Sequence, residues 1–182
     1  MRKLNNAELE RKSLNEFKSA TKTPIVIVLD NIRSLNNIGS IFRTADSFLV
    51  QAIYLCGITA CPPHKNIQKT ALGATNSVDW KYFKTTQEAI EELKKSNYQI
   101  YAIEQAQSST LLNEFSPEKN LNYALIFGNE VKGVEQEIMN MVDACLEIPQ
   151  KGTKHSLNIA VSVGIVIWEF FVKLSYAKKD IF

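Results

Sequence analysis

The side chains best suited to chemistry lie in three polar loops of this 182-residue chain. The first loop, residues 30–46, follows a β-branched run and holds two of the four arginines and three asparagines. Arginine offers a planar fork of donors, so this cluster suits an anion of defined geometry, such as a phosphate. The alternative is purely structural: Asn37 caps a helix and Arg43 forms a surface ion pair with Asp46.

The second loop, residues 124–134, ends a strand-like run in Gly128, Asn129 and Glu130 and contains a further glycine, Gly133. Glycines let the backbone approach a ligand closely, and Glu130 leaves a carboxylate at the entrance of the next helix. The alternative is a tight turn in which Glu130 merely favours the helix dipole.

The third loop, residues 148–158, leads into the apolar run 159–171. Proline, glycine and small polar residues precede Ser156 and Asn158, so backbone amides and polar side chains gather where a helix begins. Such a loop forms a pocket for a small polar ligand; the alternative is an ordinary loop before a capped core helix. Three loops of this kind on one sheet indicate a single site.

Strands and helices alternate along the chain. The hydrophobic patterns predict strands at residues 24–30, 52–56, 79–83, 99–103, 122–127 and 144–148, and helices at 6–20, 38–48, 65–72, 87–95, 134–142 and 156–174. This alternation predicts an α/β fold with a mostly parallel sheet and helices on both faces. Ligands bind at the carboxyl ends of such strands, which the three loops follow. We expect an N-terminal helical extension at residues 1–22 and one domain at 23–182.

Composition excludes several classes of protein. The net charge of +2 does not by itself indicate nucleic-acid binding, although residues 1–22 and 62–84 are locally basic and suit either phosphate contact or a solvated surface. No G-x-G-x-x-G or Walker motif is present. Neither a signal peptide nor a bilayer-spanning stretch is apparent, so we expect no membrane association.

The three cysteines are odd in number, and two of them lie in apolar strand-like runs. Reduced, buried thiols of this kind are typical of a cytoplasmic protein, which is the location we expect. Cys56, Cys61 and His64 lie close in sequence but lack a fourth ligand, so we expect no metal site.

Taken together, the three loops and residues 67–74 resemble the motifs of the SpoU/TrmH family of RNA ribose 2′-O-methyltransferases in the SPOUT superfamily. The similarity runs from Pro24 to Phe171. It implies a C-terminal segment threaded into a deep trefoil knot, a homodimer, S-adenosylmethionine as the methyl donor without a metal, and tRNA or rRNA as substrate. The alternative is a catalytically inactive RNA-binding or RNA-assembly protein with the same fold.

The resemblance also assigns residues. Those implied to bind the cofactor are Glu104, Gly128, Asn129, Ile148, Leu157 and Asn158. Arg43 matches the catalytic arginine, and Asn37 is its partner across the site. Glu130 would order the loops, while Ser156 and Asn158 would shape the reacting centre.

Overall fold

A parallel sheet of seven strands forms the centre of the protein, for which a computed structural model describes residues 1–175. The strands are β1 (Thr23–Asp30), β2 (Val50–Cys56), β3 (Asp79–Phe83), β4 (Tyr98–Ile103), β5 (Thr110–Leu111), β6 (Asn122–Phe127) and β7 (Ala144–Glu147). The helices are α1 (Leu14–Ser19), α2 (Leu35–Ser47), α3 (Lys65–Ala71), α4 (Ala74–Ser77), α5 (Thr86–Lys95), α6 (Gln136–Met139) and α7 (Ile159–Ser175), with a 3-10 turn at Asn6–Leu9.

The sheet order is β3-β2-β1-β6-β4-β7-β5, and every pair of neighbouring strands is parallel. The predicted α/β class is therefore confirmed. β1 lies between β2 and β6, and its last six residues are buried, as expected for a strand covered on both faces. The predicted knot and the domain division at residue 22 stay predictions. Residues 176–182, which the predicted domain includes, lie outside the described residues.

Two hydrophobic layers cover the sheet. Alternate residues of β1 enter opposite layers: Ile25, Ile27 and Leu29 join the layer beneath α2 and α7, whereas Val26 and Val28 join the layer beneath α5. α2 packs against both α3 and α7. Within residues 1–175, no helix is long and apolar enough to cross a bilayer.

Several predicted boundaries are wrong for local reasons. The helix predicted at residues 6–20 is two short elements, because Asn5 and Ser13 each begin a separate turn with a capping box and Glu10 between them is left-handed (φ 45°). The last helix begins at Ile159 instead of residue 156, because Asn158 Oδ1 accepts a hydrogen bond from the N–H of Ala160 at 2.9 Å.

The other differences concern short elements. α6 has four residues and is shorter than the helix predicted at 134–142. β5, with two residues, and α4, with four, were not predicted, because neither is long enough to show a periodic pattern. α2 begins at Leu35, three residues before the predicted start, because Ser34 Oγ accepts a hydrogen bond from Asn37 N–H at 3.3 Å.

Phe170 of α7 is the side chain on which we base a test of this packing. It is 1% exposed, and its ring lies 5.3 Å from that of Tyr123 and 5.4 Å from that of Phe115. Replacing it, Phe170→Ala, should lower the free energy of unfolding by about 3–5 kcal/mol, because the cavity cannot collapse around rigid rings. Urea denaturation measures this. Leu14→Ala, at a half-exposed position of α1, should cost about 1 kcal/mol at most. Equal losses for the two variants would contradict the packing described here.

Candidate active site

A cleft of about 890 Å³ opens at the carboxyl ends of β4, β6 and β7. Its volume lies in the range of small-molecule sites. It is lined by eight residues that the sequence singled out, namely Glu104, Gly128, Asn129, Glu130, Ile148, Ser156, Leu157 and Asn158. The second and third loops therefore meet at one place, as expected where parallel strands end at a common edge.

Asn129 holds the second loop closed. Its backbone N–H donates to the carbonyl of Gly133 (3.1 Å) and its carbonyl accepts from the N–H of Gly133 (2.8 Å). Its side-chain Oδ1 accepts from the N–H of Val131 (2.9 Å), and its Nδ2 donates to the carbonyl of Asn31 (2.7 Å). Asn129 thus lines the cleft while its amide ties this loop to the end of β1.

Glu104, at the end of β4, explains why the second loop needs its glycines. Its Oε2 accepts from the N–H of Val134 (3.0 Å) and its Oε1 accepts from the N–H of Gln105 (2.9 Å). Gly133 has φ +68°, and a Cβ there would lie 2.2 Å from Glu104 Oε2. A Cβ on Gly128 would lie 2.2 Å from the carbonyl carbon of Gly133. Only glycine fits at both positions without moving the loop.

Glu130 joins the second loop to the first. Its two carboxylate oxygens accept hydrogen bonds from the N–H groups of Arg33 and Ser34, each at 3.2 Å. These amides lie at the N-terminus of α2, where a negative charge is also favoured by the helix dipole. The carboxylate therefore holds the second loop against the start of α2.

Asn158 and Asn37 connect the third loop to α2. Asn158 Nδ2 donates to Asn37 Oδ1 at 3.2 Å. The same loop is held from the other side by Gln105, whose Nε2 donates to the carbonyl of His155 at 2.8 Å. Sequence reasoning missed Gln105, although its position two residues after the end of β4, beside Glu104, was a usable signal. Ser156 lies in this exposed loop beside Leu157, which adds apolar lining.

Arg43 is the one proposed catalytic residue that lies apart from these contacts. It is exposed on α2, does not line the cleft, and within residues 1–175 its guanidinium has no hydrogen-bond or ion-pair partner. α2 runs away from the cleft, so Arg43 lies about 9 Å further along the axis than Asn37. The alternative pairing with Asp46 is absent, since that carboxylate accepts from the hydroxyl of Ser77.

The cysteines are placed for packing. Cys56 is buried and burial raises the pKa of its thiol to about 12, while burial also raises the pKa of Cys145. Both thiols are therefore protonated and poor nucleophiles at neutral pH. Within the described part of the chain, no group of three His, Cys, Asp or Glu residues could hold a metal ion.

Comparison with known proteins identifies the family of the chain. The chain matches the SpoU rRNA Methylase family over residues 24–168. It is 31% identical over 149 residues to the mouse (Mus musculus) tRNA (guanosine(18)-2'-O)-methyltransferase TARBP1, covering 80% of this chain and 9% of that protein. The chain spans between 9% and 63% of the length of seven of the curated relatives that it matches.

Two solved structures superpose well on the described fold. The A. aeolicus TrmH/SpoU tRNA modifying enzyme has a TM-score of 0.78 at 25% identity, covering 89% of this chain and 81% of that one. The AdoMet-bound rRNA methyltransferase from Sinorhizobium meliloti has a TM-score of 0.75 at 25% identity, covering 82% of this chain and 59% of that one.

Fold and site define a class: a parallel α/β protein whose ligand cleft is built from loops at the carboxyl edge of the sheet. The chain belongs to the SpoU rRNA Methylase family, a family of RNA methyltransferases, because the match covers most of its length. The resemblance drawn from the three loops is thereby confirmed.

The glycine contacts lead to a test of how the cleft is built. Gly133→Ala should lower the free energy of unfolding by about 1–3 kcal/mol, because a non-glycine residue at this positive φ is strained and its Cβ would push against Glu104. Thermal unfolding followed by circular dichroism measures this. The matched control is Gly152→Ala in the third loop, where a Cβ meets nothing within 4 Å. A Gly133→Ala variant as stable as this control would show that the second loop does not depend on the close approach.

Proposed function

We propose that the protein transfers a methyl group from S-adenosylmethionine to a ribose 2′-hydroxyl of tRNA or rRNA. The observation that carries this proposal is the single cleft in which the second and third family motifs meet, tied to the first motif through Glu130 and Asn158. The mouse relative is named as a tRNA (guanosine(18)-2'-O)-methyltransferase, and the rRNA methyltransferase from Sinorhizobium meliloti, which has a similar fold, is bound to AdoMet.

The cleft residues fit such a cofactor. Apolar side chains line the cleft at Ile148 and Leu157, and Gly128 brings backbone without a side chain to the same cleft. Glu104, Asn129 and Asn158 hold the surrounding loops and would keep these groups in place. When bound there, S-adenosylmethionine supplies an electrophilic methyl group on a sulfonium.

The reaction requires alignment and removal of a proton. A ribose oxygen must approach the methyl carbon in line with the breaking S–C bond, while its proton leaves to solvent or a nearby base. Ser156 and Asn158, at the cleft, would orient the hydroxyl. A guanidinium is a poor base, so we assign Arg43 to gripping the RNA phosphate and polarising the hydroxyl.

Because Arg43 lies outside the cleft of its own chain, the site is incomplete in a single copy. An exposed apolar stripe runs along one side of α7, beginning at Leu157 in the cleft; its members are Leu157, Val161, Ile165 and Trp168, which are 39%, 50%, 38% and 53% exposed. A second copy covering this stripe would lie at the mouth of the cleft. We infer a homodimer in which each cleft receives Arg43 of the partner subunit.

Cofactor binding and turnover can be separated by replacing Arg43. Wild-type protein should bind S-adenosylmethionine in a calorimetric titration, and Arg43→Lys and Arg43→Ala should bind it equally well, because Arg43 does not line the cleft. Transfer of labelled methyl groups to total RNA from a strain lacking the protein should fall about 100-fold or more in both variants.

Lys94→Ala, at an exposed cation near the end of α5, is the control and should keep normal turnover. Near-normal transfer by both Arg43 variants would overturn the assignment of Arg43. Failure of the wild type to bind the cofactor would overturn the proposed activity and favour the RNA-binding alternative.

The dimer can be tested at Val161, the half-exposed centre of the stripe. Val161→Glu should yield a folded monomer by sedimentation velocity at micromolar concentration, whereas the wild type should sediment as a dimer, because a buried unpaired carboxylate at the interface is costly. Lys94→Glu, on the opposite side of the sheet, should remain dimeric. A monomeric wild type would contradict the proposal.

A mixing experiment tests whether Arg43 acts across the dimer. Arg43→Ala and Asn158→Ala should each be inactive alone. Random reassociation of equal amounts gives half heterodimers with one intact site each, so activity should return to about a quarter of the wild-type level. If mixing restores no activity, then Arg43 acts on the cleft of its own chain, and the proposed exchange across the dimer is wrong.

A further inference from the structure

A second cleft of about 500 Å³ lies beside the first, on the far side of the loop formed by residues 129–133. It opens at the carboxyl end of β1 and is not needed to hold the methyl donor. Its lining combines the buried carboxylate of Asp30, the exposed carboxylate of Glu135, exposed aliphatic side chains and two cations. Val131 and Lys132 line the first cleft as well, whereas Asp30, Ile58 and the guanidinium of Arg33 have no role in the function proposed above.

The carboxylate belongs to Asp30, which is 2% exposed. Its Oδ1 accepts hydrogen bonds from the hydroxyl of Thr86 and from Nδ2 of Asn31. Its Oδ2 accepts no hydrogen bond from residues 1–175. Within this range every fully buried side-chain oxygen has a partner, so Oδ2 itself is not fully buried. Oδ2 is therefore reached from the cleft that Asp30 lines, and it is free to accept a hydrogen bond from a ligand.

Two aliphatic side chains stand exposed on the walls of the same cleft. Ile58 is 65% exposed and Val131 is 78% exposed, although both are apolar. Their positions are fixed by side-chain amides, since the N–H of Ile58 donates to Asn31 Oδ1 and the N–H of Val131 donates to Asn129 Oδ1. Such fixed apolar surfaces beside a polar group suit a flat ring that carries a hydrogen-bonding edge.

The cations are Arg33 and Lys132, which also line the cleft. The guanidinium of Arg33 forms no ion pair with the described residues, whereas its backbone N–H is held by Glu130. Lys132 has one loose contact, 3.9 Å to Glu135, between two exposed side chains. Exposed pairs of this kind contribute little, so both cations are available to an anionic ligand.

We propose that this second cleft binds one nucleotide of the substrate RNA. Its base lies between Ile58 and Val131 and donates an exocyclic amino group to Asp30 Oδ2, while Arg33 and Lys132 bind the adjoining phosphates. The proposal rests on the proposed function, since it makes RNA the ligand, and it adds a selection for bases that carry an amino group over uracil.

Base selection is tested with 5′-labelled oligocytidine and oligouridine of about ten nucleotides, a length within the usual range of single-strand sites. Fluorescence anisotropy with the full chain at pH 8 should show several-fold tighter binding of oligocytidine. Asp30→Asn should reverse the preference: the amide keeps Oδ1 as acceptor for Thr86 and Asn31 and places an N–H donor where Oδ2 was, which suits O4 of uracil.

The phosphate contacts are tested by Arg33→Ala and Lys132→Ala. Each substitution should weaken the binding of both oligonucleotides by about 5-fold at low salt. Each should also reduce the slope of log affinity against log salt concentration by about 0.7. Lys95→Ala, an exposed lysine at the end of α5, is the matched control and should bind as the wild type does. Val131 is strongly exposed, so the fold should tolerate Val131→Glu. The added negative charge should weaken the binding of both oligonucleotides.

The outcomes separate this inference from the proposed function. If the wild type binds S-adenosylmethionine but shows no preference between the two oligonucleotides, the second cleft does not read a base. Unchanged binding by Arg33→Ala, Lys132→Ala and Val131→Glu would likewise overturn it. If the wild type does not bind S-adenosylmethionine, the proposed function is refuted, whichever oligonucleotide binds more tightly.

Discussion

The site depends on carboxylates that accept hydrogen bonds from backbone amides. Glu104 and Glu130 each take two such bonds, and between them they connect the end of β4, the second loop and the start of α2. Bonds from N–H groups to an ionised acceptor are stronger than neutral ones, and they fix the backbone instead of a mobile side chain. Loops fixed in this way lose little entropy when a ligand binds, which is the physical meaning of a preformed site.

The sequence predicts this arrangement only in part. The β-branched run of β1 and the regular alternation of elements predict a parallel sheet, and a parallel sheet brings its carboxyl-end loops to one edge. The pairing of Glu104 with Val134 spans thirty positions and depends on the register between β4 and its neighbours, which no local pattern encodes. Gly133 was noted as a glycine, but its need for a left-handed backbone became visible only beside Glu104.

In some segments, two local sequence signals predict different structures. The apolar stripe of residues 6–20 favoured one helix, whereas the capping boxes at Asn5 and Ser13 divide it into two short elements. The sequence pointed to Arg43 as a residue but not to its location, because α2 carries it away from the cleft. A single sequence says least about quaternary structure. The apolar residues of α7 look alike in the sequence, and only the structure separates those that are buried from those that form the exposed stripe.

The loop of residues 129–133 matters most because it separates the two clefts. Its hydrogen bonds run in both directions: Asn129 pairs with Gly133 across the loop, Glu130 contacts the start of α2, and Glu104 contacts Val134 just beyond. A loop braced on both sides keeps a fixed separation between whatever lies in the first cleft and whatever lies in the second. In-line displacement loses rate steeply when the reacting atoms are misplaced by about 1 Å. Under the proposed function, a braced loop would help to hold the RNA in position relative to the methyl donor. This gives a physical reason why so many polar groups of this small domain hold one short loop in place.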